Sequence, residues 1–295
     1  MSAIQTSVMV TILLTPALTL PQTPSVAPQS VNIDGATAYM YKTVGDVELR
    51  LYVFKTGRPD DPARKATIVF FGGGGWTQES VAQFAPQAKH LAERGMVGIV
   101  ADYRVFGRHH TSPFEAMADA KSALRWVRAH AAQLAVDANR IAAAGGSAGG
   151  HIALSAAVFE SFDEVDEDKA VSSKPNLLVL FNPAVDTTHA DLTQLFGGRG
   201  REGSPAHHLR TGLPPTLILH GKSDTTVPYA EVDRYCAEAK GLGNQCQLVG
   251  YEGATHGFFN PQNAGGKWYR ETLLVADRFL TKIGYLRQPA PTQIP

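Results

Sequence analysis

From about residue 37 onward, the hydrophobic and polar positions of the chain follow two alternating patterns. Short continuous apolar runs, typical of strands buried on both faces, are separated by longer stretches with helical spacing. This repeated alternation predicts one domain with a mostly parallel, twisted sheet of about eight strands and helices on both faces. The runs that predict its buried strands are 66–71, 96–101, 140–145, 177–181, 216–220 and 247–251.

The remaining segments of the domain have patterns of their own. Residues 38–43 and 47–55 alternate like half-buried strands and predict an opening antiparallel pair. Residues 186–213 lack a clear period and are short for a lid, so we expect an open cleft without a large lid. The segments with helical spacing are 83–94, 113–134, 151–159, 227–240 and 267–283.

The two ends of the chain differ from this pattern. Residues 8–20 form an apolar run of signal-peptide length, too short to span a bilayer as a helix, and a proline-rich stretch follows it. We therefore divide the chain into a signal-like segment with its spacer (1–36), one α/β domain (37–286) and a C-terminal tail (287–295). We predict export to the periplasm or the medium. No Lys or Arg precedes the run, which leaves a cytoplasmic protein as the alternative.

Composition and charge exclude some classes of partner. Hydrophobic residues make up 44% of the chain and charged residues 18%, which is enough apolar material for a sizeable core. The 27 basic and 27 acidic residues cancel, so we expect no nucleic-acid partner. We also expect no stable membrane span, and the sequence leaves the oligomeric state open.

Residues 145–149 match the pattern G-x-S-x-G between a predicted strand and a predicted helix. Such a turn lifts the hydroxyl of Ser147 clear of the sheet, and the flanking glycines avoid Cβ clashes where the chain reverses. Ser147 is therefore the predicted nucleophile. An incidental serine in a glycine-rich turn is one alternative. A dinucleotide-binding loop is another, but G-x-G-x-x-G spacing at the start of a first βαβ unit is missing.

An acid and a base follow this serine in the chain order that such a nucleophile requires. Asp224 lies in the loop after the strand 216–220, and His256 lies in the loop after the strand 247–251. The imidazole accepts the serine proton, and the carboxylate fixes the imidazole tautomer. We predict these two residues as acid and base. The alternatives are a turn or helix-capping role for Asp224 and a backbone-bonded loop role for His256.

A run of four glycines, 72–75, ends the strand 66–71 and precedes Trp76. Esterases use a glycine-rich loop at this place because backbone N–H groups must approach the developing oxyanion. The N–H of Ala148, directly after the nucleophile, supplies a further predicted donor. A glycine loop without a catalytic role is the alternative.

Together these motifs resemble the hormone-sensitive-lipase-like acetyl esterase/lipase group of α/β-hydrolases, and most closely its small bacterial esterases without a large lid. The resemblance covers about residues 47–286. It rests on GGGGW at 72–76, ADYR at 101–104, GGSAGGH at 145–151, HGKSDTTVP at 220–228 and EGATHGFF at 252–259. It implies an α/β-hydrolase fold and a serine esterase that hydrolyses short-chain esters, including acyl groups on carbohydrates.

The resemblance also sets the register of the glycine loop. Members of that group usually have His-Gly-Gly-Gly-Trp, and counting back from Trp76 puts Gly72 of this chain where the histidine belongs. By that register Gly73 and Gly74 are the predicted donors, and a one-residue slip moves the role to Gly75. Asp102 and Arg104 of the ADYR motif are expected to form a buried pair or to brace a loop.

The cysteines and the remaining histidines complete the candidate chemistry. Cys236 and Cys246 lie ten positions apart, a spacing that allows a disulfide, which export would favour. Two small buried hydrophobic residues are the alternative. The histidine pairs 109–110 and 207–208 are adjacent, which is not metal-ligand spacing on one element. We therefore expect no metal and no organic cofactor.

Two other functions remain open from the sequence. A serine peptidase shares this fold and triad order, although such enzymes usually carry an additional propeller or helical domain. A non-catalytic hydrolase-like binding protein is the second, and the complete set of Ser147, Asp224 and His256 argues against it.

Overall fold

One eight-stranded sheet organises the computed structural model, which describes residues 31–56, 64–78 and 80–288. Most of the predicted signal-like segment and the end of the tail lie outside the described residues. Contacts divide the chain into residues 1–31 and 32–295, and the sheet with its helices belongs to the second unit. The strands are β1 (Thr37–Val44), β2 (Val47–Lys55), β3 (Lys65–Phe71), β4 (Val97–Ala101), β5 (Val136–Gly146), β6 (Leu177–Phe181), β7 (Thr216–Gly221) and β8 (Cys246–Tyr251).

The strand order is β1-β2-β4-β3-β5-β6-β7-β8. β1 pairs antiparallel with β2, β2 pairs antiparallel with β4, and every later pairing is parallel. The predicted mostly parallel sheet and its opening antiparallel pair are therefore confirmed. Because β3, β5, β7 and β8 run in one direction, the loops at their carboxyl ends meet at a single edge of the sheet.

The helices alternate with the strands and cover both faces of the sheet. α3 begins with a capping box in which Ser112 and Glu115 satisfy the first backbone N–H groups. Within the described ranges, none of the helices combines the length and the apolar character needed to cross a membrane. The helices are α1 (Ala85–Glu93), α2 (Phe106–His109), α3 (Pro113–Ala129), α4 (Ala131–Leu134), α5 (Ala148–Val158), α6 (Ala190–Leu195), α7 (Tyr229–Gly241) and α8 (Lys267–Lys282), with 3-10 helices at Val81–Phe84, Pro205–His208 and Asn263–Gly266.

Two apolar cores lie on opposite faces of the sheet. Residues of α3, α5 and α7 pack on one face, and residues of α1 and α8 pack on the other. Every residue of β4 and β6 is buried, which explains why these strands are continuous apolar runs. The segment 182–215 between β6 and β7 contributes only α6 and a short 3-10 helix.

Two predicted helices have different bounds in the structure. The helix predicted at 113–134 is broken at His130, whose backbone leaves the helical region and whose ring stacks on Trp126 at 4.0 Å. α5 begins at Ala148, three residues before the predicted start, because Gly149 and Gly150 continue directly from the turn at Ser147.

The charged residues of the ADYR motif do not pair with each other. Asp102 accepts from Arg108 at 2.7 Å. Arg104 binds the fully buried Asp119 through two nitrogens, each at 2.8 Å. Asp102 and Arg104 therefore do not form the buried pair that was one prediction. Each acts as a loop brace, which was the other prediction, and each has a different partner.

Candidate active site

The turn between β5 and α5 presents Ser147 in a strained backbone conformation. Its φ of 54° and ψ of −120° lie in a region that non-glycine residues rarely occupy. Its N–H donates to Phe181 O at 3.0 Å, which ties the turn to the adjacent strand. At Gly149 a Cβ atom would lie 2.1 Å from Phe71 O, so only glycine lets α5 approach β3 this closely. The serine hydroxyl is thus held at the edge of the sheet.

His256 reaches this serine from the loop after β8. Its Nε2 lies 2.9 Å from Ser147 Oγ. The side chain is 26% exposed, so the pair remains accessible from solvent. The next residue, Gly257, donates its N–H to Asn182 Oδ1 at 3.2 Å and adopts a φ of +72°. Asn182, at the end of β6, therefore helps to hold the histidine loop.

Asp224 completes the chain of hydrogen bonds from the loop after β7. Its Oδ2 lies 2.8 Å from His256 Nδ1, and its Oδ1 accepts from the N–H groups of Thr226 and Val227, both at 2.9 Å. Burial opposes ionisation of this carboxyl, but the bonds from His256 and the two N–H groups outweigh it and lower the pKa of Asp224. The predicted turn role and the predicted triad position therefore coincide in one residue.

A second histidine braces the same acid. His220 is fully buried at the end of β7, and its Nε2 lies 2.9 Å from Val227 O and 3.5 Å from Asp224 Oδ2. Burial lowers the pKa of His220 and so keeps its imidazole neutral, and a neutral Nε2–H donates to the carbonyl. This role was not predicted from the sequence, although the residue belongs to the HGKSDTTVP motif.

The glycine loop lies against the nucleophile. A Cβ atom on Gly73 would lie 3.4 Å from Ser147 Cβ, but the N–H of Gly73 donates to Gln83 Oε1 at 2.6 Å. In this structure the N–H of Gly73 is therefore engaged by Gln83, which corrects the prediction that Gly73 supplies an oxyanion donor. Gly74 and Gly75 are exposed, and their N–H groups have no acceptor among the described residues, which favours the slipped register.

Two side chains outside the loop fix its start and its end. Tyr103 Oη donates to Gly72 O at 2.6 Å, within the ADYR motif. Trp76 is buried, and its ring packs edge-on against His151 at 5.0 Å and Phe196 at 5.4 Å. Trp76 therefore serves packing at the end of the glycine loop.

The remaining candidate residues lie apart from this site. Cys236 of α7 and Cys246 of β8 are joined by a disulfide, with 5.6 Å between their Cα atoms. Cys246 is the first residue of its strand, whereas the histidine loop follows the last. Over the part of the chain that the structure describes, no three His, Cys, Asp or Glu side chains are grouped as metal ligands.

A strained serine turn after the central strand β5, an acid on the loop after β7, a histidine on the loop after β8, and this sheet order define an α/β-hydrolase. A family model described as BD-FAE matches residues 57–197, and one described as the prolyl oligopeptidase family matches residues 182–282. Both matches agree with the fold.

The individual proteins to which this chain is similar are named as esterases. The apo form of Thermogutta terrifontis esterase 2 is 43% identical, with a TM-score of 0.85 over 88% of this chain and 98% of that chain. Esterase LipC of Mycobacterium tuberculosis is 29% identical over 68% of this chain and 55% of that protein. The acetylxylan esterase of Xylanibacter ruminicola is 26% identical over 80% of this chain and 48% of that protein.

This chain belongs to the α/β-hydrolase family. It spans about half the length of the curated relatives that it matches.

Proposed function

We propose that this protein is a serine carboxylesterase that hydrolyses short-chain esters through an acyl-enzyme on Ser147. The observation that carries the proposal is the hydrogen-bonded chain from Ser147 Oγ through His256 to Asp224, with links of 2.9 Å and 2.8 Å. A serine hydroxyl is a weak nucleophile, and an imidazole at this distance accepts its proton as attack begins.

The reaction proceeds in two halves. Ser147 Oγ attacks the ester carbonyl while His256 Nε2 takes the hydroxyl proton, and Asp224 stabilises the imidazolium that forms. The N–H groups of Ala148, Gly74 and Gly75 bind the oxyanion. His256 then protonates the leaving alkoxide, the alcohol departs and the acyl group stays on Ser147. In the second half, water attacks the acyl-enzyme while His256 takes a proton from it, and His256 then returns a proton to Ser147 Oγ as the bond to the acyl group breaks and the carboxylic acid is released.

We propose short acyl groups, including acyl groups on carbohydrates, as substrates. Thermogutta terrifontis esterase 2, at 42–43% identity, has been solved with propionate and with butyrate bound. One curated relative is an acetylxylan esterase. The short segment between β6 and β7 also favours an open cleft, which suits a small acyl group on a bulky alcohol.

A series of p-nitrophenyl esters from acetate to decanoate, with wild type and Ser147→Ala, tests this proposal. We expect the highest kcat/KM for acetate to butyrate and loss of turnover on substitution. Paraoxon provides an independent label, since Thermogutta terrifontis esterase 2 is phosphorylated by it. Mass spectrometry should find a diethylphosphoryl group on the peptide that contains Ser147. A folded wild type that cleaves no ester of the series and resists paraoxon would refute the proposal.

A serine peptidase is the second candidate, favoured by the match of residues 182–282 to the prolyl oligopeptidase family. Peptide p-nitroanilides with proline before the scissile bond distinguish the two functions. We expect their kcat/KM to lie far below that of p-nitrophenyl acetate.

We also propose that the protein is exported. The apolar run at 8–20 and the Cys236–Cys246 disulfide support this, because disulfides persist mainly in oxidising compartments. Fractionation of cells that express the full chain, followed by N-terminal sequencing, tests it. Recovery only from the cytoplasm, with an intact N-terminus, would oppose export.

A further inference from the structure

A series of three hydrogen bonds joins the glycine loop to the loop that carries His256. The N–H of Gly73 donates to Gln83 Oε1 at 2.6 Å, and Gln83 Nε2 donates to Asn260 Oδ1 at 3.2 Å. Asn260 Nδ2 then donates to Gly257 O at 2.9 Å. Because a backbone N–H only donates, the first bond fixes the orientation of the Gln83 amide, and the second fixes that of Asn260.

The two amides rest on a rigid aromatic support. Phe84, next to Gln83, stacks on Phe259, next to Asn260, with 5.1 Å between ring centroids and 10° between planes. Phe181 packs against both rings. Asn260 is only 8% exposed, so its hydrogen bonds have little competition from water. The stacked rings thus hold the Gln83–Asn260 contact between positions 177 residues apart.

The first half of the glycine loop is held by residues outside the loop. Residues 72–75 have no side chains of their own, and four successive glycines are costly to order. The carbonyl of Gly72 is held by Tyr103, and the N–H of Gly73 is held by Gln83. The second bond also directs the Gly73 N–H to Gln83, which leaves the N–H groups of Gly74 and Gly75 for an oxyanion.

We propose that Gln83, together with Asn260, is a positioning residue for the esterase reaction. The amide pair fixes the distance between the oxyanion donors of the glycine loop and the base on the histidine loop. This inference rests on the proposed function. It assigns a part in catalysis to two residues that do not touch the substrate. Misplacement of donors and base by about 1 Å costs up to about a hundredfold in rate.

Gln83→Met and Asn260→Leu, singly and combined, test the pair by steady-state kinetics with p-nitrophenyl acetate. Each single substitution should lower kcat about tenfold to a hundredfold with KM changed less than threefold. The double variant should lose no more than the worse single, since the two amides act as one unit. Additive losses, or a kcat within twofold of wild type in both singles, would overturn the proposal.

Gln87→Met is the matched control. Gln87 lies one turn further along the chain, is buried, and donates to Phe259 O at 3.3 Å. The variant therefore loses an amide hydrogen bond to the same loop, but no contact with Gly73. We expect its kcat to stay within about threefold of wild type. If Gln87→Met and Gln83→Met lose kcat equally, the effect is a general loosening of the 3-10 helix and α1, and the positioning role is refuted.

Hydrogen–deuterium exchange gives a readout that does not depend on activity. In Gln83→Met, the peptides that cover residues 72–78 and 252–260 should both exchange several-fold faster, whereas Gln87→Met should leave the first peptide unchanged. This result supports the bridge even if wild type cleaves no ester, in which case only the proposed function fails. Active wild type with unchanged exchange in Gln83→Met would refute the bridge alone.

Discussion

Asp224 contacts His256 with one carboxylate oxygen and fixes its own turn with the other. Oδ2 lies 2.8 Å from His256 Nδ1, while Oδ1 accepts from the N–H groups of Thr226 and Val227. The same side chain therefore sets the position of the acid and the tautomer of the base. Because the two oxygens have different partners, the substitution Asp224→Asn is informative.

In Asp224→Asn, the amide oxygen should stay on the two backbone N–H groups, and the NH₂ group then faces His256 Nδ1. An NH₂ donor requires Nδ1 to be an acceptor, so the proton of the neutral imidazole lies on Nε2. A protonated Nε2 cannot accept the proton of Ser147. We expect kcat for p-nitrophenyl acetate to fall about 10³–10⁴-fold. The thermal midpoint serves as the control for folding. A loss below tenfold would argue against Asp224 as the triad acid.

A second prediction follows from the close approach of α5 to β3. A Cβ atom at Gly149 would lie 2.1 Å from Phe71 O and 2.3 Å from Gly72 O, and both contacts are with backbone. Gly149→Ala must therefore move the glycine loop, at a cost of about 3 kcal/mol or more. Gly241→Ala is the matched control, because no atom of the described residues lies within 4 Å of its added methyl group at the end of α7.

Urea unfolding of both variants checks this prediction. We expect Gly241→Ala to be as stable as wild type or up to about 1 kcal/mol more stable, since alanine lowers the entropy of the unfolded chain. Equal stability of Gly149→Ala and Gly241→Ala would mean that the contact of α5 with the loop is looser than the structure has it.

The sheet was predictable because most of its strands are buried on both faces. Continuous apolar runs such as 177–181 stand out from the helical spacing around them, and β6 has these same bounds. β5 was harder, since its first residues, from Val136 to Arg140, include polar and partly exposed side chains. Its true start therefore lies four residues before the predicted one.

The triad positions followed from motifs and chain order, but the setting of the glycine loop did not. Successive glycines have no strong backbone preference, so the sequence leaves the direction of each N–H undetermined. The direction at Gly73 depends on Gln83 and Asn260, which belong to no local pattern. Their contact exists only once the sheet has brought residues 83 and 260 together.

The disulfide between Cys236 and Cys246 should contribute to stability and not to catalysis. It closes a short loop, for which chain entropy gives about 2–3 kcal/mol at 25 °C. We expect the double variant Cys236→Ala/Cys246→Ala to lose about this much in urea unfolding, with kcat for p-nitrophenyl acetate within twofold of wild type. Reductant should lower the stability of wild type and leave that of the variant unchanged. A variant as stable as oxidised wild type would contradict the prediction.

The burial of His151 leads to a prediction of how the stability of the folded protein changes with pH. It is fully buried beneath Trp76, its Nε2 donates to Gly203 O at 2.8 Å, and its Nδ1 has no hydrogen-bond partner among the described residues. Burial lowers the pKa of His151 to about 4, despite the opposing bond to Gly203 O. Between pH 6.5 and 4, the unfolded chain therefore binds a proton at this residue that the folded protein does not.

The folded state should accordingly lose about 3 kcal/mol through His151 as the pH falls from 7 to 4. His151→Gln keeps an amide donor for Gly203 O but does not titrate, so its free energy of unfolding should depend less on pH over this window. Urea unfolding of wild type and variant at half-unit steps measures the difference. The free energy of unfolding of wild type should fall towards that of the variant as the pH falls, because only in wild type does a buried neutral histidine oppose folding at low pH. Parallel curves from pH 7 to 4 would show that His151 binds its proton in the folded protein at the same pH as in the unfolded chain.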